Sequence, residues 1–470
     1  MSRINTNVSS LIAQRVLGRN NTSLNTSLQR LSTGLKINVG ADNPAGLIAS
    51  ENLRSEKAGI SQAIENAGRA SNIIGTAEGG LSEVSSLLTE LQNLVSQSAN
   101  TGGLSPEELQ ANQLQVDSIL STVNRIAQST AFEGTKLLNG NYSYTTSGVT
   151  STQIDNVRIN AARIPDGATT NVVVQVVTSA QTGTLGYTGG TIAGGNVTIE
   201  VAGNTGTEQL SFASGTTVSS IVTAVNAVKT ATGVSATVSG TAIGFHSTKF
   251  GSDQFVSVQA IAGSFTVAGG SSGKDYGRNA EVTVNGATAQ ANGLGVSYRS
   301  SNLDVEFDLD STFNKTGTGN FTITGGGAAF SLGSKVSESE KASIGVASVS
   351  TGSLGDSTNG YLSALASGGA ANLNTNNLVT AQRIIDKAIK QVSQLRGRLG
   401  AFQKFTIGST INSLGVAYEN ASAAESAIRD TDFASETAAL TRSQILAQAS
   451  TTVLAQANAT PQNALALLQR

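Results

Sequence analysis

A heptad seam runs through the first hundred residues. Leu53, Ile60, Ala67, Ile74, Leu81, Leu88 and Val95 recur every seven positions, with Ala63, Ala70, Ala77, Val84 and Leu91 three places after five of them. Apolar side chains alternating at three and four residues form one stripe on a helix, and a stripe kept over about seven heptads is the mark of a long coiled coil. A second seam lies near the other end: Leu378, Ala381, Ile385, Ala388, Val392, Leu395, Leu399 and Phe402 alternate without a slip and then pass to Ile411, Leu414, Tyr418, Ala421 and Ile428. Two such seams at opposite ends of one chain are natural partners. The residues predicted to carry the joint seam are Leu53, Ile60, Ile74, Leu81, Leu88, Val95, Ile385, Val392, Leu395, Leu399 and Phe402.

Helix punctuation supports this division. Asp42-Asn43-Pro44 reads as a helix start, because a short polar side chain accepts free N–H groups and proline at the first helical position has none to waste. A helix from Pro44 to about Asn100 would extend ~85 Å at ~1.5 Å per residue. Thr101-Gly102-Gly103-Leu104 breaks it, and Ser105-Pro106-Glu107-Glu108 has the form of a capping box that opens a second helix reaching about Gln128. So short a link predicts an antiparallel hairpin. Before Asp42, a stripe of Val8, Leu11, Ile12, Leu24, Leu28, Leu31 and Leu35 has helical spacing but no local partner. Leu440, Ile445, Leu446, Val453 and Leu454 make a thinner stripe near the other end, and Leu465, Leu467 and Leu468 follow Pro461.

From about Phe132 the pattern becomes Gly-punctuated alternation. Val157 and Ile159, Val172 to Val176, Val197 to Val201, Val234 to Val238, Phe255 and Val258, and Val282 and Val284 predict strands, while Val218 to Lys229 returns briefly to helical spacing. The fold class expected is therefore a mainly α coiled-coil or helical-bundle core built from both termini, with a strand-rich α+β outer region inserted in the middle.

Composition narrows function. The 470 residues include no Cys, no Trp, one Met, one His and four Pro, and 13% are charged with a net charge of −2. That leaves little for redox, metal or acid/base chemistry and no polyelectrolyte surface for nucleic acid. No stretch approaches the ~20 apolar residues of a membrane span, and the first twenty residues lack the apolar run of a secretory signal.

The sites that invite a chemical reading do not sustain one. Ser272-Gly273-Lys274 lacks the preceding glycine and following Ser/Thr of a phosphate loop and reads as a surface turn. Asp304, Glu306, Asp308 and Asp310 share one strand face; a linear row lacks the converging oxygens of a calcium site and reads as a solvated face. His246 has no second imidazole for a zinc site. The N-x-S/T matches at Asn7, Asn25, Asn141, Asn196 and Asn320 have no signal peptide to bring them to a glycosylation machinery. No catalytic, cofactor-binding or metal residue is predicted.

The opening INTNVSSLIAQRVL, followed by LQRLSTGLKIN, DNPAGLIASENL, AEGGLSEV and LVSQSAN, and the later LGAFQ, AESAIRDTDFASE, ILAQAS and LALLQR, closely resemble bacterial flagellin. The middle is similar to flagellin outer domains more loosely, through Thr216 to Val238 and Asn279 to Gly286. The resemblance implies terminal axial-core helices over 1–43 and 430–470, a helical shell with a β-hairpin region over 44–170 and 346–429, and a surface-exposed outer region over 171–345. It implies a structural subunit that polymerises into the flagellar filament and transmits torque, with no catalysis. Partners would be many copies of itself, an export chaperone, the export apparatus, and the filament cap and junction proteins, with export that uses no cleaved signal peptide and an extracellular destination. The assembly core would comprise Val8, Leu11, Leu24, Leu28, Leu31, Leu35, Ile445, Val453, Leu465 and Leu468, with Leu24 to Leu35 facing Leu446 and Val453. The family's immune-receptor stretch would lie at Glu90 and Leu94, with an acid at Glu90 where strongly recognised members carry a base. Alternatives are a hook-filament junction protein and an adhesin or glycan-binding module on a helical stalk; an outer-region enzyme has no motif to support it.

Overall fold

The computed structural model describes residues 6–100, 102–165, 168–375 and 377–468, with side chains through Pro461. Helices α1 (Val8–Thr33), α2 (Pro44–Ser98) and α3 (Pro106–Ser129) open the chain. Strands β1 (Ala131–Phe132), β2 (Thr135–Lys136), β3 (Tyr144–Ser147), β4 (Ile154–Ala162), β5 (Thr170–Thr178), β6 (Thr184–Tyr187), β7 (Val197–Gly203) and β8 (Thr207–Phe212) follow, then α4 (Val218–Ala227) and α5 (Lys229–Thr232). Next come β9 (Val234–Ser239), β10 (Ala242–Ser247), β11 (Phe255–Ala262), β12 (Lys274–Tyr276), β13 (Glu281–Val284), β14 (Ala287–Asn292), β15 (Gly295–Arg299), β16 (Leu303–Leu309), β17 (Gly317–Gly326) and β18 (Ala328–Ser331). The chain returns through β19 (Lys341–Ile344), β20 (Gly355–Asp356) and β21 (Gly360–Tyr361) to α6 (Leu378–Ala401), a π-helical stretch at Phe402–Gly408, α7 (Ser409–Arg429) and α8 (Phe433–Leu468). Two compact units result: one of residues 1–69, 331–340 and 407–470, the other of 70–330 and 341–406.

In the larger unit the heptad seams are core. Ala70, Ile74, Ala77, Leu81, Val84, Leu88, Leu91 and Val95 of α2 are buried, as are Ala381, Ile385, Ala388, Val392, Leu395 and Leu399 of α6. The capping box forms as expected: the Ser105 hydroxyl accepts from the Glu108 N–H at 3.2 Å, and Glu108 Oε2 accepts from the Ser105 N–H at 2.8 Å. The predicted antiparallel hairpin of α2 and α3 forms too. Asn112 Nδ2 donates to Ser98 Oγ at 3.3 Å near the turn, and Gly80 faces Thr130 as many residues back along α2 as Thr130 lies forward along α3. A Cβ at Gly80 would meet Thr130 Oγ1 at 2.7 Å and Leu138 Cδ1 at 2.8 Å, so a larger residue there would require both side chains to shift.

The predicted strands all form, and most lie in antiparallel sheets. One has the order β3-β17-β5-β13-β14-β15-β16-β4, and its two edges meet where the Tyr144 hydroxyl accepts from the Ala162 N–H at 2.9 Å and donates to the Ala162 carbonyl at 3.1 Å. Val172, Val174, Val176, Val282, Val284, Phe307 and Phe321 fill its core. A second β layer pairs β12-β11-β7-β8 with β6-β10-β9 over a core closed by Ile221 and Val225 of α4. Thr217 caps that helix, its hydroxyl accepting from the Ser220 N–H at 3.3 Å.

Two expectations need correction. The outer region does not begin at 171: β3 and β4 are integral strands of the eight-stranded sheet, and the expected boundary falls within β5. These pairings span more than 140 residues of sequence, as between Ala162 and Leu303 or Thr146 and Ile323, and local periodicity carries no signal for them. The later seam is also not one continuous α-helix past Phe402, because the π-helical turns of Phe402–Gly408 shift the phase. Phe402 is partly buried, with its ring 6.2 Å from that of Phe330, and Ile407 is buried.

In the smaller unit the Asn43 side chain caps α2, accepting from the Gly46 N–H at 2.9 Å, with Pro44 at the first helical position. Ile60, Ala63 and Ala67 are buried, while Leu53 is partly exposed. Lys57 on α2 meets Glu425 on α7 at 2.7 Å, and Arg429 meets Glu51 at 2.8 Å.

Candidate assembly surface

Helices α1 and α8 lie antiparallel within the smaller unit, tied at one end by a short antiparallel bridge. The Lys36 N–H donates to the Arg429 carbonyl at 2.7 Å, and the Thr431 N–H donates to the Gly34 carbonyl at 2.9 Å. Gly34 ends α1 in the left-handed region at φ 73°, where a residue with a side chain would be strained. Asp432 starts α8, its Oδ1 accepting from the N–H groups of Ala434 (2.9 Å) and Ser435 (3.2 Å).

Along their length the helices are joined by small and polar side chains. Asn7 Nδ2 donates to the Ala457 carbonyl at 2.7 Å, Ser10 Oγ to Asn458 Oδ1 at 2.7 Å, and Asn20 Nδ2 to Ser450 Oγ at 2.7 Å and to the Leu446 carbonyl at 3.2 Å. Arg30 and Glu436 approach to 3.6 Å. The less exposed positions of α1 include Ser10, Ala13, Leu17, Asn20, Leu24, Ser27 and Leu31, with Thr26 and Arg30 beside them, and those of α8 include Ser443, Ala447, Ser450, Leu454 and Ala457. The positions named first on α1 and those on α8 alternate at three and four, the spacing of a helix-helix seam.

This corrects the expected facing of Leu24, Leu28, Leu31 and Leu35 against Leu446 and Val453. Leu24, Leu31 and Leu35 are half-buried, but Leu28 is 47% exposed, and Leu446 and Val453 are 45% and 59% exposed. The true seam is the heptad Ser10-Leu17-Leu24-Leu31 with Ala13-Asn20-Ser27-Gly34. It was present in the sequence and masked by its serines and asparagine. Val8, Leu11, Ile12, Val16 and Leu28 on α1, with Ile445, Leu446 and Val453 on α8, are left to solvent. The seam is thus mixed, with hydrogen bonds interleaved among Ala13, Leu17, Leu24, Leu31, Ala447 and Leu454, while further aliphatic side chains stay outside. Leu465 and Leu468 fall among side chains outside the described residues.

Glu90 is exposed on α2, but Leu94 is buried and packs in the helical core of the larger unit, so it cannot offer its side chain to a receptor as expected. Leu94 follows Leu91 at the seam's three-residue spacing, which puts it on the inner face.

The remaining chemical candidates are structural. Thr184 and Thr237 hydroxyls lie 3.3 and 3.2 Å from the two ring nitrogens of His246, whose pKa burial lowers. Ser271 and Lys274 pair across the tight turn at Ser272-Gly273. The carboxylate row on β16 is not the solvated face expected of it. Asp304 accepts from Asn160 Nδ2 at 2.9 Å, Glu306 from Arg299 at 3.3 Å and Asp308 from Asn156 Nδ2 at 2.9 Å, and all are partly buried. Among the described residues no group of three or more His, Cys, Asp or Glu is arranged to hold a metal, and no helix is long and apolar enough to cross a membrane.

Comparison with known proteins agrees with this architecture. Residues 4–143 match the bacterial flagellin N-terminal helical region, 382–468 the bacterial flagellin C-terminal helical region, and 186–249 the flagellin hook IN motif, which spans β6 to β10 with α4. Polar flagellin B/D of Vibrio parahaemolyticus is 31% identical over 468 residues, covering 99% of both chains. Flagellin B of Vibrio cholerae is 30% identical over 465 residues, again 99% of each. FliC from Burkholderia pseudomallei, a solved structure 17% identical over 71% of this chain and 99% of its own, superposes with a TM-score of only 0.25. With helical regions at both ends and full-length relatives on the same pattern, the chain belongs to the bacterial flagellin family, the structural subunits of the flagellar filament.

Proposed function

We propose that the chain polymerises through the outer apolar face of the α1/α8 pair and transmits motor torque along the resulting filament. The observation that carries this reading is the set of aliphatic side chains the pair leaves exposed: Val8, Leu11, Ile12, Val16, Leu28, Ile445, Leu446 and Val453. A helix pair whose aliphatic side chains point outward is unfinished as a monomer, and fully burying each Val, Leu or Ile is worth about 1.5–3 kcal/mol. Neighbouring copies arranged head to tail in an open helix would cover these faces without closing a ring. Inside the pair, Leu17, Leu24, Leu31 and Leu454 pack among the polar contacts, and the exposed leucines, isoleucines and valines are left for the polymer.

Within this reading the chain is a non-catalytic extracellular component. It is handed over by an export chaperone to the flagellar export apparatus, then meets the junction proteins and the cap. Absence of cysteine suits passage through a narrow channel, since no disulfide can lock the chain beforehand. The exposed acid at Glu90 supports poor recognition by the innate-immune flagellin receptor.

The test is seeded polymerisation followed by negative-stain electron microscopy, comparing the full chain with a version lacking 1–43 and 430–470. Long uniform filaments from the first alone support the reading. Dispersed particles from both would favour a junction or binding protein.

A further inference from the structure

We propose that the π-helical stretch Phe402–Gly408 is a built-in conformational joint, a point where the helical run from α6 to α7 opens locally while the turns on either side stay closed. The seam positions show why the stretch exists. On α2 the seam runs from Ile60 to Val95 at three and four without interruption. On α6, Ala381, Ile385, Ala388, Val392, Leu395, Leu399 and Phe402 keep the same alternation, and Ile407, Ile411, Leu414, Tyr418 and Ala421 keep it again. The step from Phe402 to Ile407, however, is five. Five residues of α-helix turn about 140° past a full turn, which would carry Ile407 off the stripe. Ile407 is nevertheless buried, at 1% exposure, because the wider π turns take up the extra residue.

The stretch is held on one side only. The Phe402 ring lies 6.2 Å from that of Phe330, Gln403 Nε2 donates to Ser71 Oγ at 2.9 Å, and Ile407 is buried. Lys404 and Phe405 are turned to solvent, with Phe405 68% exposed and Lys404 Nζ 5.2 Å from the centre of its ring.

The helix leading into the stretch is also weak by composition. Gly397 and Gly400 fall in the last turns of α6, although a Cβ at either would meet nothing within 4 Å. Packing does not require glycine there, and glycine is a poor helix former. An extra residue, a one-sided hold and two glycines thus occur together. Such a segment opens at a lower free energy than a continuous α-helix with a closed seam.

Hydrogen exchange of the full-length monomer, followed by mass spectrometry, tests this. Amides of 403–408 are expected to exchange at least about tenfold faster than those of 385–395 and 412–421. Deletion of Phe405 reduces the step from Phe402 to Ile407 to four, a stutter that a regular α-helix accommodates. That variant should slow exchange over the stretch at least about tenfold and melt no lower than the wild type. Deletion of Ser393, which is also exposed, leaves a step of two between Val392 and Leu395 and should lower the melting temperature by at least about 3 °C. Uniform exchange along the helical run, a Phe405 deletion that melts below the wild type, or unchanged melting of the Ser393 deletion would overturn the proposal.

Discussion

Ser10 on α1 donates its hydroxyl to Asn458 on α8 at 2.7 Å, so two residues 448 apart in sequence meet through a polar contact within a helix-helix seam. The same choice recurs along the pair at Asn7, Asn20 and Ser450. With Leu17, Leu24, Leu31 and Leu454 only partly buried, the same seam gives less hydrophobic stabilisation than a fully buried one. It does set register, since each donor must find its own acceptor. The apolar faces that remain outside are then held in a defined orientation.

Asn20 is the most connected member of that seam, with donors to both Ser450 Oγ and the Leu446 carbonyl. Asn20→Ala is expected to cost about 1–1.5 kcal/mol and so to raise the critical concentration for polymerisation roughly five- to tenfold. Sedimentation of filaments over a concentration series measures it; an unchanged critical concentration would show that the seam plays no part in assembly.

Helix patterning was the most legible part of the chain. The seam of α2, the Asn43-Pro44 start and the Ser105-Glu108 capping box all rest on contacts within a few residues, which spacing reveals. The strands were legible singly for the same reason, as at Val172, Val174 and Val176. Their pairing was not, because β4 finds β16 and β3 finds β17 across long intervening segments. The α1 seam escaped reading for a different reason: leucine counts draw attention to Leu28, whereas Ser10, Asn20 and Ser27 mark the contact face. The break at Phe402–Gly408 could have been noticed, since the interval from Phe402 to Ile411 interrupts the alternation of three and four.

Asp356 ties β20 to α6, with Oδ2 3.0 Å from Lys387 Nζ and Oδ1 accepting from the Asn359 N–H at 2.7 Å. Burial pushes its pKa up, but the Asn359 N–H and Lys387 together outweigh that and hold it below the ordinary 3.8. A carboxyl depressed in the folded state stabilises fully above its unfolded pKa and loses that contribution as pH falls through the folded value. Urea midpoints of the wild type should therefore drop on acidification below about pH 4, and Asp356→Asn should show a shallower drop. Parallel acid limbs for the two proteins would count against this role.

Exposed Glu90 places a negative charge on the surface of α2. Glu90→Arg is expected to raise signalling in a receptor reporter-cell assay by at least about tenfold over the wild type, since a like-charge contact at an interface costs several kcal/mol. Equal and full-strength signalling by both proteins would remove Glu90 as a determinant. Leu94, being buried, should affect signalling only through stability.

In the proposed assembly the outer apolar face of α1 and α8, distinct from the seam between them, drives polymerisation. Leu28→Asp and Val453→Asp alter that face at positions 47% and 59% exposed in the single chain, so neither should unfold it. Seeded growth followed by electron microscopy, with circular dichroism of the monomers as the folding control, tests the claim most directly. Wild-type spectra and no filaments are expected from either variant. Filaments of wild-type length from both would contradict it.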